Sequence, residues 1–523
     1  MKWWLLWLRK QGSVEKKVIP YSVEKWKVRL NQNKFMNKPV LSITARPGEN
    51  YPEANAFYSP RIKYPEYTFE SLAVNDGGVY DQVRELFRQA GLDQEHYGSA
   101  AWNPLGQWIL PGQKVFVLCN FVQEQRLNQG KDELSAKCSH GSVLRALCDY
   151  VLIALKGHGQ VTFGNAPLQS TNWERVLHET GAAAVQQFYQ ERGLPVRAMD
   201  LRMEIRPRST FGYVKSEERR EDGQNWVGVD LAEESLLTAF DEDGPKKKPQ
   251  FRVMDYNHGL TEECQSSGRH RYIISRQFLE SDVVISLPKL KTHEKVGITC
   301  GLKGFVGIVG RKDCLAHHRF GGPDEGGDEY PGSVAFRLWQ SRLHDSLNSM
   351  RFNNVFKRIG MVFDRNTTRV LSRLGFIYGG AWSGNDTCWR MALDLARIAH
   401  YADREGQMQS SFQRKHLSLI DGIIAGEGKG PLSPTPCTPG VLIFGDNVAL
   451  TDVAACRLMG FDPARIPLVR EAFNPAILHP LAIEAWQGRN VIFNGVPGVI
   501  ESLRPAMGRS FRPSPGWRDF LLG

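Results

Sequence analysis

SDVVISLPKLKTHEKVGITCGLKGFVGIVG, residues 281–310, opens with an apolar run, Val283 to Leu287, rich in β-branched residues. Such a run, ended by Pro288, reads as a buried strand. Lys289, Lys291, Thr292, His293, Glu294 and Lys295 follow at once. Gly297, Gly301, Gly304, Gly307 and Gly310 then punctuate the chain, with Lys303 among them. A buried strand that delivers cations and a histidine into a glycine-rich segment is how α/β proteins build anion sites. Ligands sit beyond the carboxyl ends of strands, and glycine lets backbone N–H groups approach an oxyanion. The competing reading is a strand edge with solvated lysines and glycines that only turn corners.

The elements on either side alternate. Strands are expected at Val40–Thr44, Val115–Cys119, Val161–Phe163 and Val196–Leu201. Helices are expected at Val79–Ala90, Val143–Lys156, Trp173–Thr180 and Ala183–Arg192. In Val143–Lys156 the positions Leu144, Leu147, Val151 and Leu155 recur at helical spacing, with Ser139 or Ser142 as the cap. Strand–helix–strand order with short loops predicts an α/β fold, a mostly parallel sheet with helices on both faces. The charged stretch after Arg202 predicts a smaller mixed α+β lobe, with strands at Trp226–Val229, Phe251–Met254 and Tyr272–Ile274 and an exposed turn at Lys246-Lys247-Lys248. The expected divisions are 1–35, a basic extension, disordered or not translated; 36–201, an N-terminal α/β part; 202–275, an irregular or β-rich insertion; 276–475, the main α/β part; and 476–523, a C-terminal segment.

Charge and cysteine usage narrow the function. The net charge is +10, but residues 1–35 contribute +7, leaving +3 on the other 488 residues. A body so nearly balanced argues against nucleic acid as a partner. The nine cysteines are dispersed, without a C-x-x-C pair. They therefore lack an iron–sulfur or zinc motif and suit a reducing cytoplasm, most of them buried. Trp3 to Leu8 is an apolar run of only six, too short to span a bilayer. It reads either as an interfacial anchor or as an extension upstream of a start at Met36. No transmembrane segment is expected.

Two later blocks carry chemistry. Gly384-Asn385-Asp386-Thr387 leads into a helix through about Tyr401, with Asp386 or Thr387 as its cap. Arg390 in its first turn opposes the helix dipole, which suggests that a carboxylate or phosphate holds it there. Leu417 to Pro431 reads as a strand running into a glycine-rich loop that holds Asp421 and Glu427. These carboxylates are acid/base or metal-ligand candidates, or solvated turn residues. Gly-Glu-Gly-Lys-Gly is neither a P-loop nor a dinucleotide fingerprint. Strand Val441–Phe444 and a helix from Asn447 to about Met459 follow. His317 and His318 are adjacent and so point apart, which argues against joint metal binding.

Pro288-Lys-Leu-Lys-Thr-His293, the ITCGLKGFVGIVG segment, GNDTxWR, and the Asp421-x-Ile…Gly-x-Gly-x-Gly-Pro block resemble domain-of-unknown-function family 362. The resemblance runs from about Val115 to Phe473, with the motifs in the same order. Asn447 stands where the family usually has proline. The resemblance implies a shared fold and site but no settled reaction. Some relatives carry an added ferredoxin-like module, which this chain lacks.

If the strands are parallel, their carboxyl ends share one edge, and four blocks can converge there: Asn120 with His140, Lys289 to His293 with Lys303, Asn385 to Arg390, and Asp421 to Glu427. The expected function is an enzyme acting on an anionic, carboxylated or phosphorylated small molecule in an α/β cleft. Lys289, Lys291, Thr292, Lys303, Asn120, His140, Asn385 and Arg390 would bind it. His293 would be the general acid/base, with Asp421 or Glu427 its counterpart or a ligand of a divalent metal. The alternative is a non-catalytic binding or redox accessory protein that docks to an iron–sulfur partner. Docking lysines would spread over a convex face; catalytic ones would converge in a pocket.

Overall fold

Val283–Leu287 forms the expected strand, and all five residues are buried. The computed structural model describes residues 40–522 except 54, 74–77, 126–130, 206–207, 210–211, 214–216, 219–225, 242–249, 255, 333–334, 350–358, 361, 364–365, 368–369, 372–374 and 483. The basic extension 1–35 and the Lys246-Lys247-Lys248 turn lie outside the described residues.

The main sheet has twelve strands among the described residues. They are β1 Leu41–Ala45, β2 Lys114–Cys119, β3 Gln160–Asn165, β4 Val196–Asp200, β5 Val283–Leu287, β6 Lys289–His293, β7 Gly297–Thr299, β8 Lys415–Lys429, β9 Ser433–Cys437, β10 Val441–Gly445, β11 Asn490–Phe493 and β12 Val496–Val499. The sheet order is β12-β11-β1-β10-β8-β5-β2-β3-β4, with β6 and β9 paired to β8 and β7 to β6. The run β8-β5-β2-β3-β4 is parallel throughout. β10 is antiparallel to both β8 and β1.

Alternation along the strands explains the two cores. Val115, Val117, Val283, Ile285, Leu417 and Leu419 face helices α1 Val79–Gln89, α2 Gly141–Leu155 and α3 Ala182–Gln190. Phe116, Leu118, Val284, Ile420 and Ile443 face the other core, which contains α4 Cys388–Tyr401 and α5 Val448–Met459. A strand covered on both faces is largely apolar, as β5 is at every position but Ser286. Each such side chain contributes about 1.5–3 kcal/mol by its burial. A separate three-stranded antiparallel sheet includes Trp226–Asp230 and Arg269–Ser275. It supplies the smaller mixed lobe.

Pro288 ends β5 but does not open a loop, because Lys289–His293 continues as a buried strand. β8, at fifteen residues, outruns its five-residue neighbour β5 and offers β6 a second edge. Lys289 pairs with Asp421 and Lys291 with Gly426, with a register shift between them. The glycines of β8 are therefore not loop residues. A Cβ on Gly422 would lie 2.8 Å from Leu290 Cδ2, and one on Gly426 would lie 3.0 Å from Lys291 Cβ. Glycine is needed there because two strands approach closely.

The helix caps also differ from expectation. His140, not Ser139 or Ser142, caps α2, its Nδ1 accepting from Ser142 N at 3.2 Å. For α4 Thr387 is the N-cap residue, one of the two expected, but it makes no side-chain cap bond; Asn385 Oδ1 instead accepts from the N–H groups of Thr387 and Cys388 at 3.1 and 2.9 Å. α5 begins at Asn447, whose side chain accepts from Leu450 N at 2.9 Å, so asparagine replaces proline here with a working cap. Seven cysteines are free, six of them buried, but Cys264 and Cys314 are joined in a disulfide. The fold brings together two residues separated by 50 positions, a pairing that dispersed spacing concealed.

Candidate functional site

Strand order places the site. From β2 the chain moves outward through β3 to β4, then returns to the other side of β2 as β5. The β5/β2 boundary is a switch point, and the crevice beyond the carboxyl ends of two such strands is where α/β sheets bind ligands. A cavity of about 290 Å³ opens there. Its walls come from Asn120–Gln123 after β2, Asn165–Ser170 at the end of β3, and β6 with the turn that follows. Gly304, Val306 and Gly307 add a fourth wall.

Lys291, Lys295, Lys303, Lys312, His293 and His317 all line this cavity. Glu294 is its one lining carboxylate among the described residues. Lys291 Nζ donates to Asn120 Oδ1 at 2.7 Å and to the Lys137 carbonyl. Burial pulls its ammonium down to about 7. Lys312 donates to the Val306 carbonyl at 3.3 Å, and burial likewise pulls it down to about 7. Lys295 donates to the Gly379 carbonyl. Lys303 is only 7% exposed. Its ammonium has neither a hydrogen-bond acceptor nor an ion-pair partner among the described residues. Burial, and secondarily Lys295, lowers its proton affinity. Both imidazoles are held well below the usual histidine range, first by burial and then by Lys303 and Lys295. Burial pushes Glu294 the other way, upward. This concave space is lined by four lysines against a single carboxyl, so its wall is predominantly basic.

A second cluster stands beside the first and is closed. Lys289 Nζ donates to Asp421 Oδ2 at 2.9 Å and to the Tyr51 hydroxyl. Tyr51 donates to Asp421 Oδ1 at 2.5 Å, and the His140 amide to Asp421 Oδ2 at 3.1 Å. The Tyr51 and His140 rings stack with centroids 3.9 Å apart. Lys289 and Asp421 have fully buried side chains. Burial lowers Lys289, with Asp421 opposing it, and burial takes His140 down to about 3, with Lys289 adding to the shift.

The remaining expected site residues lie elsewhere. Thr292 faces away from the cavity and donates to the Gly428 carbonyl at 2.9 Å, tying β6 to β8. Glu427 pairs with Arg509 at 2.9 Å and Arg512 at 2.7 Å, which anchors the C-terminal segment. Arg390 pairs with Asp386 at 3.1 Å and donates to the Leu236 carbonyl at 3.2 Å. Its carboxylate partner thus lies four residues before it, just ahead of its own helix. Asn385 donates to the His317 and Gly380 carbonyls at 2.9 and 2.8 Å, so it supports His317 from behind. Asn120, Lys291, His293 and Lys303 are the expected residues that do share one cavity. Lys295, Lys312, Tyr51 and the site position of His317 were not foreseen. Only the crowding of basic residues near the signature hinted at Lys295. Among the described residues, no three His, Cys, Asp or Glu side chains gather to hold a metal.

Residues 242–457 match the family model described as domain of unknown function (DUF362). The matched stretch is less than half of the chain. The match includes both β6 and the Lys303 turn, as well as the Asn385 and Asp421 blocks. A thylakoid-associated protein of Synechocystis sp. is 23% identical over 248 residues, which is 44% of this chain and 53% of that protein. The chain thus spans about half the length of the curated relative it matches. A crystal structure of a Thermotoga maritima protein is similar at 13% identity, covering 68% of this chain and 56% of that one. Its TM-score is 0.29, too slight a likeness to bear on the fold. No helix among the described residues is long and apolar enough to cross a membrane.

Proposed function

We propose that this protein is an enzyme acting on an anionic small molecule, carboxylated or phosphorylated, held in the β5/β2 cavity. The observation that carries this reading is Lys303, a buried ammonium with no hydrogen-bond or ion-pair partner among the described residues, facing a cavity with three further lysines. An uncompensated buried charge is costly to a fold. A ligand that supplies the missing negative charge recovers that cost on binding. Docking of a redox partner is less well supported, because the lysines at the signature are buried and converge.

The test is thermal unfolding of the full chain in inorganic phosphate, citrate, and a panel of small carboxylates and phosphate esters. At least one anion is expected to raise Tm saturably in the wild type. Lys303→Met should lose that response. An equal rise in both proteins would assign the effect to general salt stabilisation and sink the reading.

A further inference from the structure

We infer that the site is built for proton abstraction from a carbon next to a carbonyl or carboxylate, with His317 as the base and His293 as a hydrogen-bond donor to the developing oxyanion. This rests on the anionic-substrate reading above. It replaces Asp421 and Glu427 as the counterpart of His293, since both are occupied elsewhere.

The evidence is the opposite wiring of two imidazoles on one cavity. His293 Nδ1 lies 3.0 Å from the backbone nitrogen of Lys295. That N–H can only donate, so Nδ1 accepts, and in the neutral ring the proton sits on Nε2. His317 Nδ1 lies 2.9 Å from the Leu315 carbonyl. That oxygen can only accept, so Nδ1 carries the proton and Nε2 keeps its lone pair. Neither Nε2 has a protein partner among the described residues, and both rings line the cavity. One ring therefore presents a donor and the other an acceptor, each fixed by backbone.

The chemistry balances without a co-reactant. The C–H bond breaks, its proton passes to His317 Nε2, and its electron pair moves onto the substrate oxygen as an enolate. His293 Nε2–H and the Lys303 ammonium stabilise that oxygen. His317 then returns the proton to the same carbon or, where that carbon bears a hydroxyl, to the former carbonyl carbon as the hydroxyl proton passes to the enolate oxygen. The first outcome is exchange or inversion, the second isomerisation. Nothing is oxidised or reduced overall. The depressed basicity of His317 has Lys303 and Lys295 among its causes, after burial. An anion that neutralises those ammonium groups restores the base only when substrate is present.

The experiment uses the full chain in D2O with each panel anion that raises Tm; 2-oxoglutarate and dihydroxyacetone phosphate are the first probes. Proton NMR follows deuterium entering the carbon beside the carbonyl. For at least one bound anion, exchange should exceed the buffer rate by about 100-fold or more, the usual scale of general base catalysis. His317→Gln should remove that acceleration while keeping the Tm response. His293→Gln should slow exchange by about 10-fold. Nitrogen-15 NMR of the imidazoles gives a readout that needs no substrate, with His317 as the Nδ1–H tautomer and His293 as Nε2–H. Anions that bind but exchange no faster than in His317→Gln would overturn this inference and leave the anion site standing. Reversed tautomers would overturn it as well. Failure of every anion to bind would remove the parent reading and this one with it.

Discussion

Lys289 and Lys303 are both buried lysines on the signature stretch, yet their surroundings differ in one respect. Lys289 meets Asp421 and the Tyr51 hydroxyl, and Asp421 in turn accepts from Tyr51 and the His140 amide. Every charge in that cluster is answered by the protein. Lys303 is answered by nothing among the described residues, and its neighbours in the cavity are Lys291, Lys295 and Lys312. The first cluster holds β6 against β8. In the proposed reading, a bound anion completes the second. Burial of a lysine therefore does not distinguish a site from a strut, whereas the identity of its partner does.

The largest expected effect comes from breaking the closed cluster. Asp421→Ala leaves Lys289 buried without its counter-ion and should destabilise the protein by about 3–5 kcal/mol. Adding Lys289→Met should recover most of that loss. Urea unfolding of the single and double variants checks both, and an additive double variant would contradict the pairing.

Removing the open charge should act in the opposite direction. Lys303→Met deletes an unpartnered cation, so the empty protein should gain stability, by about 1 kcal/mol or more. A loss of similar size would mean that the protein itself satisfies Lys303.

The titration of Lys291 and Lys312 should separate the two clusters further. Their folded values are near 7, against 10.5 in the unfolded chain. Between those values the unfolded chain binds more protons, so stability of the empty protein should rise as pH increases from about 7 to about 10. A bound anion should raise both lysines again and draw protons from buffer. Calorimetry at pH 8 in buffers of different ionisation enthalpy should show net proton uptake on anion binding. Proton release would reverse the sign and contradict the cation cluster.

The smallest effect is expected at Glu427. Its partners Arg509 and Arg512 have side chains 52% and 61% exposed. Glu427→Gln should cost about 1 kcal/mol or less and leave the anion response unchanged. A lost anion response would return Glu427 to the site.

The sequence was most legible where one physical rule acts alone. Val283–Leu287 and Val441–Gly445 are β-branched and apolar, and both are buried strands. Helices with clear period, such as Gly141–Leu155, lie within a few residues of expectation. Lys289–His293 misled because charge suggested a loop, although Lys-Leu-Lys-Thr-His alternates as a strand does. Gly422 and Gly426 misled in the same way, since close approach of a neighbouring strand leaves no local mark. Lys291, His293 and Lys303 share a cavity because they are near in sequence and flank one sheet edge. Lys312 and His317 join them through a turn whose course depends on long-range packing. Asp421 and Glu427 are six residues apart on one strand, and only tertiary contacts assign one to Lys289 and the other to the C-terminal arginines.

Crystals soaked in selenate and measured at the selenium edge test the central claim most directly, because selenate mimics a small dianion and its position can be read from anomalous scattering. The predicted result is a peak within hydrogen-bond reach of Lys303 Nζ in the β5/β2 cavity, absent from Lys303→Met crystals. Peaks confined to the protein surface, with the cavity empty in both proteins, would contradict it.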